Sequence, residues 1–224
     1  VVTAMKAGLD VISEKPMADS MANCRKMLKT ARETGRTYVV SQNYRYAGPM
    51  WTIAHLVRQG KIGQIGQVKV DFYMGFDFGG GFRHSMDYPL VIDMSIHHFD
   101  LMRFITGLNP VNVAGTAWNP AWSNYKGDSS NALVFEMDNG ARITYNGSWS
   151  AKGTYSDWNG NWLIEGDKGA ITYDNGVITL HAAPQGYAVK ESTEIKQCKV
   201  PYGGGQSHVL NRFIHCLRNG ETPE

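Results

Sequence analysis

The sequence lacks what would commit it to a polyanion, a membrane or a disulfide scaffold. Its 22 Lys and Arg stand against 20 Asp and Glu, a formal net charge of +2, so no basic field exists for nucleic acid and none is expected as a partner. No Lys/Arg run marks a membrane-surface patch. No apolar stretch reaches the roughly 20 residues that a span needs, so no membrane partner is expected either. The three cysteines, Cys24, Cys198 and Cys216, have no paired spacing, which excludes a disulfide framework and a zinc site. They read as buried free thiols in a reducing cytoplasm. There is no H-E-x-x-H and no clustered His/Cys/Asp set, so no metal is expected. No glycine fingerprint G-x-G-x-x-G joins a strand to a helix, and Gly203-Gly204-Gly205 sits near the end in a different setting. The chain also lacks an initiating methionine. Val1 reads as mid-helix, so a fragment is expected.

What is present suits a folded core: 42% hydrophobic and 19% charged residues over 224. Val1–Gly8 reads as a helix end closed by glycine, and Asp10–Ser13 as a short strand. Asp19 or Ser20 caps a helix to about Thr34, with Met21, Cys24, Met27, Leu28 and Ala31 on one face. Tyr38–Ser41 is a second strand. This helix–strand alternation is the rhythm of the later part of a doubly wound parallel sheet.

After Gln42 the rhythm changes. Helices are expected over Pro49–Gln59 and Asp93–Thr106, with a long alternating strand over Gly66–Phe78 and a glycine-rich loop over Gly79–Met86 between them. Strands then follow near 110–118, 131–138, 140–150, 160–166, 169–174, 176–182 and 188–198. Asp138-Asn139-Gly140, Gly166-Asp167-Lys168-Gly169 and Asp174-Asn175-Gly176 separate several of them, as in an antiparallel meander. A last helix covers His208–Leu217. The expected fold is α+β: a large open antiparallel or mixed sheet covered by helices, preceded by the remnant of a Rossmann-type parallel α/β domain. The boundary falls near Gln42–Tyr46, giving residues 1–42 and 43–224.

Ligands of open α/β sheets bind outside the carboxyl ends of the strands. Glu14-Lys15-Pro16 and Asn43-Tyr44-Arg45-Tyr46 each follow such an end, so they face a crevice or, alternatively, form an exposed turn and a polar linker. Asp93 and His97 stand four apart, one helical turn. A carboxylate beside an imidazole can fix its tautomer for general-base work, and the alternative is a dipole-favoured carboxylate with an ordinary helical histidine. Arg83 and His84, in the glycine-rich loop, can bind a polyol or an acidic group, or belong to a flexible hairpin tip. Trp118, Trp122, Trp149, Trp158 and Trp162 fall in or between strands, where they stack on sugar rings or pack in a core or subunit interface.

Together, Ala4–Pro16 (A-x-x-x-G-x-D-V-x-x-E-K-P), Asn43-x-Arg45, Gly60–Gly63 (G-x-I-G) and Asp93–Asp100 (D-x-x-x-H-x-x-D) resemble the glucose–fructose oxidoreductase / inositol dehydrogenase family. The resemblance implies a hydride-transferring NAD- or NADP-dependent dehydrogenase of a sugar, sugar acid or cyclitol. It implies Lys15, Asp93 and His97 as the catalytic set, with His97 the base. It implies Glu14, Lys15, Pro16, Asn43 and Arg45 at the cofactor, and Lys15, Arg83, His84, Asp93 and His97 at a small polyol substrate. Many relatives carry glycine where this chain has Ser95. Without the glycine fingerprint, this polypeptide alone is expected to bind NAD(P) poorly. The alternative from another class is a non-catalytic substrate-binding and oligomerisation domain or regulator. Self-association is expected through a sheet face rich in Trp and Tyr, which would be a liability if left exposed.

Overall fold

Ser20 and Gly35 set the first long element. The Ser20 hydroxyl accepts the Asn23 N–H at 3.3 Å, and Gly35 closes the helix at φ 63°. The computed structural model describes residues 1–223, and Glu224, at the end of the expected second domain, lies outside the described residues. The chain divides into two units: residues 1–47 with the described residues from Val200 on, and Gly48–Lys199.

The first unit runs α1 (Val2–Lys6), β1 (Val11–Ser13), α2 (Met21–Thr34) and β2 (Tyr38–Val40). The two strands pair in parallel, Val11 to Tyr38 and Ser13 to Val40, and α2 supplies the crossover that parallel pairing requires. The expected apolar face of α2 is only partly used. Met21 is 67% and Leu28 45% exposed, whereas Thr30 is the buried position. The C-terminal helix, Gly205–Asn219, belongs to this unit rather than to the sheet with which the sequence grouped it. Ring stacking holds it there, since Tyr46 lies 3.7 Å from His208 between centroids. In addition, the Ser41 hydroxyl donates to Gln206 Oε1 at 2.9 Å.

The second unit begins with α3 (Gly48–Arg58), β3 (Ile65–Tyr73) and the short α4 (Phe82–Ser85). A π-helical turn, Leu90–Ser95, then leads into α5 (Ile96–Thr106). Seven strands follow: β4 (Pro110–Trp118), β5 (Ser130–Met137), β6 (Arg142–Ser148), β7 (Asn161–Gly166), β8 (Gly169–Asp174), β9 (Val177–Ala182) and β10 (Glu191–Glu194). All lie in one eight-stranded sheet, ordered β10-β9-β8-β7-β3-β6-β5-β4.

This corrects the uninterrupted meander. β3 is inserted between β7 and β6 and runs parallel to β6, which makes the sheet mixed. The physical reason is burial. Val68, Val70 and Phe72 of β3 are all 0% exposed, which only a central strand beneath helices achieves. The chain between β3 and β6 contains α5 and is long enough for a crossover. Local turn chemistry still sets the hairpins: Asn175 at φ 44° and Gly176 at φ 98° form the two-residue link from β8 to β9.

One face of the sheet is apolar. Val68, Val70, Ile143, Tyr145, Ile164 and Ile171 are each 0% exposed on it, and burying such a side chain stabilises by about 1.5–3 kcal/mol. The opposite face carries Trp118 and Tyr73, 43% and 38% exposed, but is otherwise mainly polar rather than the Trp- and Tyr-rich surface expected. It carries a polar lattice in which Lys69 Nζ meets Asp71 at 2.7 Å, Asn146 donates to Asp71 at 3.2 Å, and Arg142 meets Glu136 at 3.0 Å. Trp149 and Trp162 are instead buried, at 2% and 3% exposure. The cysteines also differ from expectation, because Cys216 is buried, Cys24 half-buried and Cys198 exposed, all three as free thiols.

Candidate functional site

Parallel pairing places the carboxyl ends of β1 and β2 on the same edge of the first unit. Glu14-Lys15-Pro16 leaves one strand there, and Asn43, Tyr44 and Arg45, in a short 3-10 turn, follow the other. Lys15, Asn43 and Arg45 are half-buried, Glu14 and Pro16 exposed, and the Lys15–Pro16 peptide is cis. The fold therefore gathers the sequence-predicted cofactor residues at one edge. Their ammonium, amide and guanidinium donors fit a polar, phosphate-bearing ligand there.

In the second unit, the residue that the sequence singled out as Asp93 lies in the π-helical turn, not in a regular α-helix. Such turns widen the helix locally and re-aim side chains. Asp93 Oδ2 accepts from Arg83 Nε at 2.6 Å. The Arg83 guanidinium also lies over two rings, 4.5 Å from the Phe78 centroid and 4.6 Å from that of Phe82. Aromatic faces and a carboxylate together fix a side chain that would otherwise swing freely. The sequence had assigned Arg83 to substrate and Asp93 to catalysis. The structure joins them.

His97 is buried at 6% exposure in the first turn of α5, and its neighbour His98 is fully buried. His98 Nε2 lies 3.0 Å from the Trp158 carbonyl, so this nitrogen must carry the proton and donate. Nδ1 then accepts from the Tyr145 hydroxyl at 2.9 Å. Tyr145 in turn hydrogen-bonds Ser95, whose hydroxyl accepts from Asn131 at 3.4 Å. Burial holds the His98 imidazole neutral, with its pKa pushed down to about 4, and pushes the Tyr145 phenol well above its ordinary range. Ser95 thus anchors a buried chain of hydrogen bonds behind the helix, a role that glycine cannot fill.

A second constellation joins the neighbouring loops to α4, the short helix that Phe82–Ser85 forms inside the segment expected to be all loop. His84 Nε2 meets Asp77 Oδ1 at 3.0 Å, and its ring stacks on Tyr125 at 4.8 Å. The other Asp77 oxygen accepts from Asn124 at 3.1 Å. Burial, aided by the negative charge of Asp77, pushes the Tyr125 phenol up to about 12, so it remains a donor, bonded to the Phe76 carbonyl at 2.5 Å. The loops meet closely: a Cβ on Gly127 would lie 2.2 Å from the Asp87 and Met86 carbonyl oxygens. Sequence reasoning missed Asp77, Asn124, Tyr125 and Tyr145. No local spacing links residues 47 apart, as Asp77 and Asn124 are, and only the turn signals flanking the loops hinted at their meeting.

Comparison with known proteins adds an independent line. Residues 1–42 match "Oxidoreductase family, NAD-binding Rossmann fold", and residues 50–172 match "GFO/IDH/MocA C-terminal domain". A D-apiose dehydrogenase of Paraburkholderia graminis is 24% identical over 100% of this chain and 61% of its own length. An inositol 2-dehydrogenase of Rhizobium meliloti is 26% identical over 76% of this chain and 51% of its own length. The chain therefore spans only about half to three-fifths of these curated relatives. Among solved structures, an oxidoreductase from Agrobacterium radiobacter, in complex with NAD+, L-tartaric acid and magnesium, superposes with a TM-score of 0.84 at 20% identity, covering 100% of this chain and 67% of that one. An aldose-aldose oxidoreductase from Caulobacter crescentus, complexed with glycerol, gives 0.81 at 19% identity, over 99% and 66% of the two chains.

Proposed function

Because the chain belongs to the GFO/IDH/MocA family, we propose that the whole protein is an NAD- or NADP-dependent dehydrogenase acting on a secondary alcohol of a sugar, sugar acid or cyclitol. The observation that carries this reading is the Arg83–Asp93 pair, which fixes a carboxylate in the turn leading to the buried His97. NAD(P), held by Glu14, Lys15, Pro16, Asn43 and Arg45, supplies the hydride acceptor when bound.

His97 takes the proton of the reacting hydroxyl. Lys15 donates a hydrogen bond to the same oxygen and steadies the negative charge that grows on it. Asp93 orients these groups, and its own position depends on Arg83. Arg83 and His84 contact the hydroxyl or acid groups of the small polyol substrate. The three free thiols fit a reducing compartment, the cytoplasm. Self-association uses the sheet face opposite the apolar one, where Tyr73 and Val134, 38% and 45% exposed, interrupt the polar lattice. Sedimentation showing only a monomer at high concentration removes that part.

His97→Ala in the full-length protein lowers kcat by about 10²–10⁴-fold while circular dichroism stays native. Near-normal turnover removes His97 from the mechanism. Lys15→Met combined with His97→Ala costs less than the product of the single effects if the two serve one step.

A further inference from the structure

Loops around residues 75–77, 122–125 and 149–153 line an open cleft of about 320 Å³ within the second unit. Asp77, Trp122, Asn124, Tyr125 and Lys152 line it. The wall of the cleft is built from pinned groups. Trp122 donates its indole N–H to the Ser150 carbonyl at 2.8 Å, yet the residue remains 58% exposed. A broad apolar ring held in one orientation and left in water serves no core, and such a ring is suited to an apolar ligand face.

The support beneath it is equally fixed. The hydroxyls of Ser129 and Ser150 lie 2.7 Å apart, and Ser150 donates to Ser123 at 2.8 Å. At the rim, Lys152 Nζ sits 5.8 Å from the Trp122 centroid. The Asp77 carboxylate is held by the Gly79 N–H at 2.8 Å and by Asn124.

These groups define the ligand. The volume is near the low end of small-molecule sites, which run from about 300 to 1,000 Å³, so the cleft has room for one ring-sized group. A carboxylate and an ammonium on the same cleft disfavour a strongly charged ligand of either sign. An indole face with carboxylate, amide and ammonium groups around it suits a neutral ring with an apolar C–H face and a hydroxyl rim. The cleft also borders a proposed substrate residue: Tyr125 lines it and stacks on His84 at 4.8 Å.

Resting on the dehydrogenase reading, we propose that this cleft is a subsite for a second, non-reacting sugar ring, with Trp122 as its platform. The preferred substrate is then a two-ring sugar such as a disaccharide rather than a single-ring one. The test is calorimetric titration of the full-length holoenzyme with methyl β-D-glucopyranoside as the one-ring probe and cellobiose and maltose as two-ring probes. At least one two-ring probe binds about tenfold more tightly than the one-ring probe, Trp122→Ala erases that preference, and Trp122→Phe keeps most of it.

Equal affinity for all three probes, no binding of any, or a preference that survives Trp122→Ala overturns the subsite. Binding is read without turnover, so the two readings fail separately. Loss of turnover in His97→Ala with an unaltered ring preference in Trp122→Ala sinks the subsite and leaves the dehydrogenase. The reverse pattern does the opposite.

Discussion

The two units place their candidate functional residues by different means. In the first, Lys15, Asn43 and Arg45 follow directly from the strands that aim them, and two parallel strands suffice to bring them to one edge. In the second, the candidate groups depend on partners distant in sequence: Arg83 on Asp93, Asp77 on Asn124, and His98 on Tyr145 and Trp158. A site assembled from strand ends is robust to local change. A site assembled from buried hydrogen-bond chains is only as stable as its least satisfied member.

That contrast can be tested by perturbing each unit in turn. The largest stability effect is expected from His98→Ala. It leaves the Trp158 carbonyl without this donor and the Tyr145 O–H without its acceptor and opens a cavity, costing about 3–5 kcal/mol in chemical denaturation. A loss under about 1 kcal/mol would mean that the network is ornamental.

Acid should act on the same group. Below pH 6.5 an unfolded chain protonates His98, whereas the folded chain resists until about pH 4. Unfolding then takes up a proton, so stability falls as pH drops through that window, by on the order of 2–3 kcal/mol, and this contribution is flat above it. His98→Gln should flatten that part of the stability profile measured between pH 4 and 7. An unchanged slope would show that His98 is not the group responsible.

Arg83→Lys tests whether the pair with Asp93 positions or merely neutralises. Lysine keeps the charge but loses the planar contact with Phe78 and Phe82, so the proposed dehydrogenase turnover of the full-length protein should fall about tenfold with stability little changed. Full activity in the lysine variant would reduce Arg83 to a counter-charge. The smallest effect belongs to the first unit. Ser20→Ala removes one helix cap and should cost about 1 kcal/mol, seen as a modest shift in melting temperature.

The same division appears in what the sequence disclosed. α2 was legible from Ser20 to Gly35, and the turn at Asn175-Gly176 from its residue types, because caps and tight turns are settled by a few adjacent residues. The place of β3 was not legible. Its alternation of Val68, Val70 and Phe72 announces a strand with one buried face, but not that β6 and β7 flank it. Lys15, Asp93, His97, Arg83 and His84 were identifiable as residue types in suggestive settings. Nothing in the spacing showed that Arg83 would be spent on Asp93, or that the helix would widen into a π turn there.

By itself, then, the sequence determined the longer helices and most strands, the family resemblance and the chemical types gathered after each strand, since these rest on periodicity, capping and short motifs; it did not show α4, the π turn or the shortness of β10. Tertiary structure alone decided the strand order, the membership of the C-terminal helix and the partners of Arg83, His84 and His98. Those choices are made by burying apolar faces and satisfying buried polar groups across long stretches of chain, and no local pattern encodes which distant segment meets that demand.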